Sequence, residues 1–329
     1  MSDIVYEPFK DPESLYAMNQ AWWEEESIGQ ADWSGLPLLM GFTGFSDAGQ
    51  VVRQVSDELL DQLQAEVIAI FDVDQLIDYR SRRPQISFVK DHLADYQQPR
   101  LVLYRMLDSL GRPFLFLTGN EPDLQWERFS AAVIGLVEQL DVSLVAWVHA
   151  IPMPVPHTRP IGVTVHGNQP ELIQGISSWQ TTVNFPSGIG HLLEVRLIEA
   201  GRDVAGYAVH VPHYLAEAEY PGAAVAALEY LGAAAALMLP SERLRESGRA
   251  VEQQITAQVE ASAEVQGVVG RLEQNYDERT AGQAPRSLLA AGGSADELPD
   301  VEELAADIES YLATLNESES SDSEPSEES

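Results

Sequence analysis

Several short segments carry side chains that could do chemistry, and each follows an apolar run. The first is the glycine-rich turn Gly44–Gly49, which separates the apolar run Leu36–Phe42 from a helical pattern that begins at Val51. Glycine lets the backbone turn sharply, and the free amides at a helix N-terminus attract anions. The candidate ligand-binding residues of this turn are therefore Gly44, Ser46, Asp47 and Gly49.

Three interpretations of this turn stay open. Gly44–Ala48 resembles the Gly-x-Ser-x-Gly elbow of serine hydrolases, but Ala48 replaces the last glycine and the turn follows the first strand of the fold. Alternatively, Ser46 or Asp47 caps the helix by accepting hydrogen bonds from its first amides. In the third interpretation the amides bind phosphate or another anion, although the turn lacks both the P-loop lysine and the spacing of a dinucleotide fingerprint.

A charged segment follows the second apolar run. Asp72–Pro84 contains three aspartates and three arginines. The carboxylates could hold Mg²⁺, whereas the neighbouring arginines favour internal ion pairs or a bidentate grip on an anion. Ion pairing is the favoured interpretation, and no metal site is expected here.

Further candidates follow later apolar runs. Glu121 precedes a predicted helix and has no evident capping role there, so it is a candidate for ligand binding.

Four prolines lie within Pro152–Pro160, and they restrict the backbone and remove amide donors. This stiff loop could hold His157 and Arg159 in place for a ligand or a protein partner; the alternative is a rigid crossover with exposed side chains.

Histidines at the end of a later run complete the candidates. His213 is a ligand-binding candidate, but His210 and His213 lack a third ligand at metal spacing, so zinc is not expected. Structural, hydrogen-bonded histidines are the favoured interpretation. No cofactor, no metal and no complete catalytic set are expected anywhere in the chain.

Alternating strands and helices must position these segments. Apolar runs typical of strands span residues 36–42, 66–72, 101–107, 113–118, 142–148, 161–165 and 204–211, with a hairpin predicted between the third and fourth. Helical spacing marks residues 51–63, 123–140, 188–199 and 221–238. This alternation predicts an α/β fold with a mostly parallel sheet covered on both faces. The strand ends of such a sheet meet in one crevice, where ligands bind.

The chain divides into four predicted regions: an N-terminal arm (1–35), a core domain (36–239), a long helical extension (240–279), and a linker, short helix and acidic tail (280–329). Apolar residues separated by threes and fours predict one long helix from Ser241 to Tyr276. The apolar spacing of residues 301–315 predicts a further short amphipathic helix. The Ser- and Glu-rich residues 316–329 are expected to be disordered.

Composition excludes several function classes. The formal net charge of −33 disfavours nucleic acid, which requires a cationic footprint, and an anionic membrane surface. The chain has no cysteine, so disulfides and thiolate chemistry are excluded. No apolar run reaches the roughly 18–20 residues of a membrane span. Residues 1–26 lack the pattern of a signal peptide, so a cytoplasmic location is expected.

Five motifs in order resemble one family. They are the turn at 44–49, the loop at 78–84, the Gly-Asn-Glu-Pro stretch with its Trp at 119–126, the Pro-His-Thr-Arg-Pro loop at 156–160 and the Val-Pro-His-Tyr stretch at 211–214. Over residues 36–276 the chain resembles proteins of the proteasome assembly chaperone type, most closely the actinobacterial branch. The resemblance implies a three-layer α/β/α body, similar to nucleoside phosphorylases and related hydrolases. It also implies a homo-oligomer, with a trimer favoured by fold analogy.

The same resemblance implies a non-enzymatic interaction protein whose partners could be proteasome subunits. Proteasome-binding relatives dock through a C-terminal hydrophobic-Tyr-any-residue tail, whereas this sequence ends in Pro325–Ser329 and carries Tyr311 internally. The exact role is therefore left open by the resemblance. The alternatives are a phosphorylase-like enzyme or sensor that binds phosphate or another anion and, below it, a serine hydrolase.

Overall fold

The computed structural model describes residues 10–19, 34–173 and 182–280. The predicted N-terminal arm is described only in part. The predicted linker, short helix and acidic tail after Thr280 lie outside the described residues.

In the part of the chain that the structure describes, ten strands form two sheets. They are β1 (Tyr16–Met18), β2 (Pro37–Thr43), β3 (Ala65–Phe71), β4 (Ser87–Val89), β5 (His92–Ala94), β6 (Leu101–Leu107), β7 (Pro113–Asn120), β8 (Leu144–Met153), β9 (Val163–Gly167) and β10 (Val204–Pro212). Eight of them form one sheet in the order β1-β3-β6-β7-β2-β8-β10-β9, and β4 pairs with β5 in a separate hairpin. The four central strands β7, β2, β8 and β10 are parallel to one another, and the flanking pairs are antiparallel.

Eight helices connect or extend these strands in the described residues. They are α1 (Val51–Gln62), α2 (Val73–Leu76), α3 (Trp126–Gln139), α4 (Pro170–Ile173), α5 (Ile189–Glu199), α6 (Pro221–Ala235), α7 (Glu242–Ala261) and α8 (Ala263–Thr280). None of the helices in this part of the chain combines the length and the apolar character needed to cross a membrane.

Side-chain alternation along the central strands builds two apolar cores. Leu38 and Met40 of β2 lie in the core shared with α3 and α5, whereas Leu39 between them lies in the core shared with α1 and α6. Successive residues of a strand point to opposite faces of the sheet. A strand that is buried on both faces therefore reads as a continuous apolar run. The predicted three-layer α/β/α architecture with a mostly parallel sheet is confirmed, and its sheet is mixed at the edges.

Parallel pairing brings the carboxyl ends of three strands to one edge of the sheet. β2 pairs with β7 on one side and with β8 on the other. Because the three strands run in the same direction, the turn after β2, the segment after β7 and the end of β8 are neighbours. The N-terminus of α5 reaches the same edge, and the candidate functional site lies there.

The helical extension differs from the single helix that the spacing predicts. Ser262 has an extended backbone (φ −130°, ψ 117°) and separates α7 from α8. Ile255 of α7 is buried in the core on the α6 side of the sheet. Tyr276 of α8 packs with Met153 and Val155 at the start of the proline-rich loop. The break lets two helices bury their apolar stripes against different parts of the body.

Polar contacts also join α8 to the proline-rich loop. Arg159 Nε and Nη2 donate to the two carboxylate oxygens of Asp277 at 2.8 and 2.7 Å. Arg159 Nη1 donates to Glu273 at 3.2 Å, and the Thr158 hydroxyl donates to the same carboxylate. Tyr276 Oη donates to the Pro160 carbonyl at 3.2 Å. The stiff loop therefore holds a helix of its own chain.

Replacing Arg159→Gln should loosen α8, because the variant loses the bidentate pair with Asp277, an arrangement in which two parallel hydrogen bonds define the geometry. Hydrogen–deuterium exchange should become faster in Ala263–Thr280 and stay unchanged in the central strands. Arg196→Gln removes a bidentate pair with Glu127 between α5 and α3 and is the matched control. Equal exchange of α8 in the wild type and in Arg159→Gln would contradict the prediction.

Candidate functional site

A narrow cleft lies where β2 and β7 end, beside the middle of β8 and against the first turn of α5. Its lining residues are Phe42, Ser46, Glu121, Trp147, Val148, His149, Gly188, Ile189, Gly190 and His191. The cavity has a volume of about 10 Å³, which is the space of one water molecule. The cleft is thus far smaller than a site that encloses a metabolite.

Glu121 links two sides of this cleft. Its Oε2 accepts a hydrogen bond from the Phe45 amide at 3.0 Å, and its Oε1 accepts one from the Ile189 amide at 2.9 Å. Ile189 is the first residue of α5, and a carboxylate is stabilised beside the positive end of the helix dipole. The sequence predicts no capping role for Glu121 at the helix that follows it, and the structure shows that it caps another helix, α5.

Two glycines make this position of the carboxylate possible. A Cβ atom added to Gly188 would lie 2.8 Å from Glu121 Oε1, and one added to Gly44 would overlap Oε2. Arg82 donates to the Glu121 carbonyl and, at 2.5 Å, to Asp123 Oδ1. The favoured interpretation of the charged segment, internal ion pairing, agrees with this contact of Arg82.

Asp47 occupies the N-terminus of α1 in a similar way. Its Oδ1 accepts a hydrogen bond from the Val52 amide at 2.6 Å, and its Oδ2 lies 3.4 Å from the Arg53 amide. Burial raises the pKa of Asp47 to about 7, while the two amides act in the opposite direction. Gly49, with φ of +67°, closes the turn by accepting a hydrogen bond from the Tyr220 amide. Of the three interpretations of the turn, helix capping by Asp47 fits this geometry.

A cluster of histidines adjoins the cleft, and in it His149 is buried whereas His166 and His191 are half-buried. Glu194 of α5 accepts hydrogen bonds from Trp147 Nε1 at 2.6 Å and from His166 Nδ1 at 2.8 Å. His166 Nε2 lies 3.2 Å from His149 Nε2, and the His149 ring stacks on Trp147 with centroids 4.6 Å apart. His191 Nδ1 accepts the Gly188 amide at 2.9 Å, so the proton of the neutral His191 ring is on Nε2.

Burial sets the charges of this cluster. It lowers the pKa of His149 well below its usual range, and the neighbouring His166 and His191 act in the same direction. Burial would raise the pKa of Glu194, but the hydrogen bonds from His166 and Trp147 outweigh it and lower that pKa. The cluster therefore combines an ionised carboxylate with a neutral His149 ring. Across residues 10–19, 34–173 and 182–280, no three His, Asp or Glu side chains are placed to hold a metal ion.

The predicted site residues separate into three groups. Ser46 and Glu121 line the cleft, Gly44 packs against the Glu121 carboxylate, and Asp47 and Gly49 form the start of α1. His157, Arg159 and His213 lie on the α8 side: the His157 amide donates to Tyr214 Oη at 2.8 Å, and His213 packs on the Tyr214 ring with centroids 5.4 Å apart. None of His157, Arg159 and His213 lines the cleft.

Sequence reasoning missed the histidine cluster. Its members come from β8, β9 and α5, so they are dispersed over 46 positions of the chain, from 149 to 194. The available signals were His149, which interrupts an apolar strand, and a high share of the seven histidines within one region. Neither signal predicts that these rings meet.

Comparisons with known proteins agree with the motif resemblance. The sequence model of the PAC2 family matches residues 41–259. A solved protein of unknown function from Corynebacterium glutamicum ATCC 13032 is 37% identical, with 81% of this chain and 98% of that chain covered and a TM-score of 0.76. The Mycobacterium tuberculosis protein Rv2714, also of unknown function, is 40% identical, with 88% and 100% covered and a TM-score of 0.77.

A more distant structure shares the fold. The Mycobacterium tuberculosis proteasome-assembly chaperone homologue Rv2125 is 24% identical, with 71% of this chain and 100% of that chain covered and a TM-score of 0.65. No curated protein matches the sequence significantly.

Replacing Glu121→Gln should destabilise the fold, because an amide has one acceptor oxygen whereas the carboxylate serves two backbone amides. We expect a loss of about 1–3 kcal/mol in the free energy of unfolding, the cost of an unsatisfied buried polar group. Urea titration measures it. Glu138→Gln, at an exposed position on α3, is the control and should change little; equal stability of both variants would refute the bridging role.

The contribution of His210 to stability should fall as the pH falls from 7 to 4. Burial lowers the pKa of His210 to about 4, whereas an unfolded histidine titrates near ~6.5. Between these values the unfolded state binds a proton that the folded state does not, so acid favours unfolding. His210 alone should account for about 3 kcal/mol, and His149 acts in the same direction. Asp47, whose pKa is raised, acts in the opposite direction.

Urea titrations of His210→Gln at pH 7, 6, 5 and 4 isolate this contribution. The variant should lose less stability on acidification than the wild type. His92→Gln, an exposed position on β5, should keep the wild-type dependence. Parallel curves for the wild type and His210→Gln would show that His210 does not carry the effect.

Proposed function

Since this chain belongs to the PAC2 family, whose model matches residues 41–259, we propose that it is a non-enzymatic interaction protein of the chaperone type. It acts on other protein chains and not on a small-molecule substrate. The structural roles proposed for Glu121 and Asp47 carry this proposal, because they account for the strand-end geometry without a bound ligand.

The observation that carries the proposal is that carboxylates of the chain occupy both helix N-termini near the cleft. Glu121 accepts from the first amide of α5, and Asp47 accepts from the Val52 amide of α1. In a phosphorylase-like enzyme or sensor, amides of this kind would bind the phosphate. A phosphate here would have to displace a hydrogen-bonded carboxylate and overcome repulsion from it. The geometry therefore favours a structural role for both helix ends.

The serine hydrolase alternative has less support from the turn. A serine nucleophile needs a base within hydrogen-bond reach and amides that are free to bind an oxyanion. In the described part of the chain no hydrogen bond joins the Ser46 hydroxyl to a histidine ring, and the Phe45 amide already donates to Glu121. We propose that Gly44 and Ser46 serve the packing of the turn.

For partners, we propose proteasome subunits, with the chain itself forming a homo-oligomer, a trimer by fold analogy, in the cytoplasm. The fold likeness to Rv2125, which is described as a proteasome-assembly chaperone homologue, supports the choice of proteasome α-subunits as the first partner to test. The net charge of −33 favours a partner with a basic surface, because complementary charge accelerates association.

The test mixes the full chain with purified α-subunits of an actinobacterial proteasome and follows complex formation by sedimentation velocity and native mass spectrometry. We expect a complex of defined stoichiometry that weakens as salt screens the charges. The chain alone, measured in the same runs, reports its oligomeric state. Failure to bind α-subunits under all salt conditions would refute this choice of partner.

A parallel thermal-shift series with phosphate, nucleosides and nucleotides tests the enzyme alternative. We expect no stabilisation, because Glu121 and Asp47 fill the helix ends. A saturable shift with any of these compounds, or fluorophosphonate labelling that disappears in Ser46→Ala, would contradict a non-enzymatic function.

A further inference from the structure

The hairpin of β4 and β5 exposes an apolar face. Phe88 and Leu93 are direct cross-strand partners, so their side chains lie on the same face, and Ile86 immediately precedes β4. Their exposed fractions are 71%, 63% and 48%. The hairpin forms a two-stranded sheet of its own, apart from the central sheet. An isolated hairpin is marginally stable in water, and exposed apolar patches mark interaction sites.

The segment around this hairpin is positively charged in a strongly acidic chain. Residues 80–100 contain five Lys or Arg and two Asp, a net charge of +3, whereas the whole chain has −33. Arg82 is paired with Asp123. Four of the five cations are exposed: Arg80, Arg83, Lys90 and Arg100. The surface therefore fits an occupant that is both apolar and acidic.

We propose that this hairpin is the docking surface for residues 301–315 of the same molecule. That segment carries four Asp or Glu and no Lys or Arg. Its large aliphatic residues lie at 301, 304, 308, 312 and 315, a spacing that puts them on one face of a helix. Amphipathic helices bind apolar surfaces through anchors at this spacing. Charge and apolar pattern thus complement residues 80–100.

The chain is long enough for this contact. The described residues end at Thr280, the last residue of α8, and 20 residues separate it from the docking segment. A linker of this length spans up to roughly 66–72 Å when extended. A compact domain of this size has a radius of gyration of about 18 Å. Residues 301–315 can therefore reach the hairpin from the end of α8.

The absence of cysteine from the sequence allows a direct test in the full chain. The substitution Ser310→Cys places a cysteine on the polar side of the predicted helix, and a nitroxide label is attached to it. The paramagnetic broadening that the label causes is measured on the backbone amide signals of ¹⁵N-labelled protein. We expect signals of Ser87–Ala94 to lose most of their intensity. The same label at Ser326→Cys, outside the docking segment, should broaden them much less.

Three variants identify the surface. Phe88→Ser combined with Leu93→Ser should abolish the broadening at the hairpin. Leu110→Ser removes an equally exposed leucine, 65% accessible, from the turn between β6 and β7, and it should keep the broadening. Arg80→Gln combined with Arg83→Gln and Arg100→Gln should weaken it, because these changes remove positive charge and leave the apolar face intact.

A mixed sample separates contacts within a molecule from contacts between molecules. It combines chain that carries the spin label but no ¹⁵N with ¹⁵N-labelled chain that carries no spin label. Strong broadening of the hairpin signals in the mixed sample would overturn docking within one molecule and identify a second copy as the occupant. Unbroadened hairpin signals would overturn the proposal, as would broadening that survives in the Phe88 and Leu93 variant. None of these outcomes depends on whether the protein binds proteasome subunits.

Discussion

The Glu121 carboxylate joins the turn after β2 to the first turn of α5 through hydrogen bonds of 3.0 and 2.9 Å. The surrounding geometry follows from this contact. Gly44 and Gly188 must lack side chains because the two carboxylate oxygens take that space. Two segments 144 positions apart, from residue 45 to residue 189, are held at one sheet edge.

The histidine cluster adds a second buried polar network beside the first. Glu194 is hydrogen-bonded by both Trp147 and His166, and His166 in turn contacts His149. A buried polar network specifies one arrangement of the core when its members are satisfied, but in this network His149 Nδ1 and His191 Nε2 are buried without a hydrogen-bond partner among the described residues. In this protein the two networks adjoin the same cleft through Glu121 and His149. Carboxylates of the chain occupy the two helix N-termini near this cleft.

Particular elements show what sequence patterns could predict. The apolar runs after Leu36 and Val142 became β2 and β8, since a strand that is buried on both faces has no polar alternation to obscure it. Helical spacing located α1, α3, α5 and α6 to within a few residues. The single helix expected from Ser241 to Tyr276 is two helices, because spacing is insensitive to a one-residue break at Ser262. The hairpin of β4 and β5 was missed because its strands have three residues each.

The sequence alone determined the fold class, the helix-capping potential of Asp47, and the position of Glu121 at a strand end, because these depend on residue types within one or two elements. Tertiary structure decided which strand ends are adjacent, and therefore that Glu121 caps α5 and not the helix that follows it. It also separated His157, Arg159 and His213 from the cleft by pairing the proline-rich loop with α8. It assembled the histidine cluster from three elements. Contacts between distant segments depend on strand order and direction, and the periodicity of a single element does not encode either.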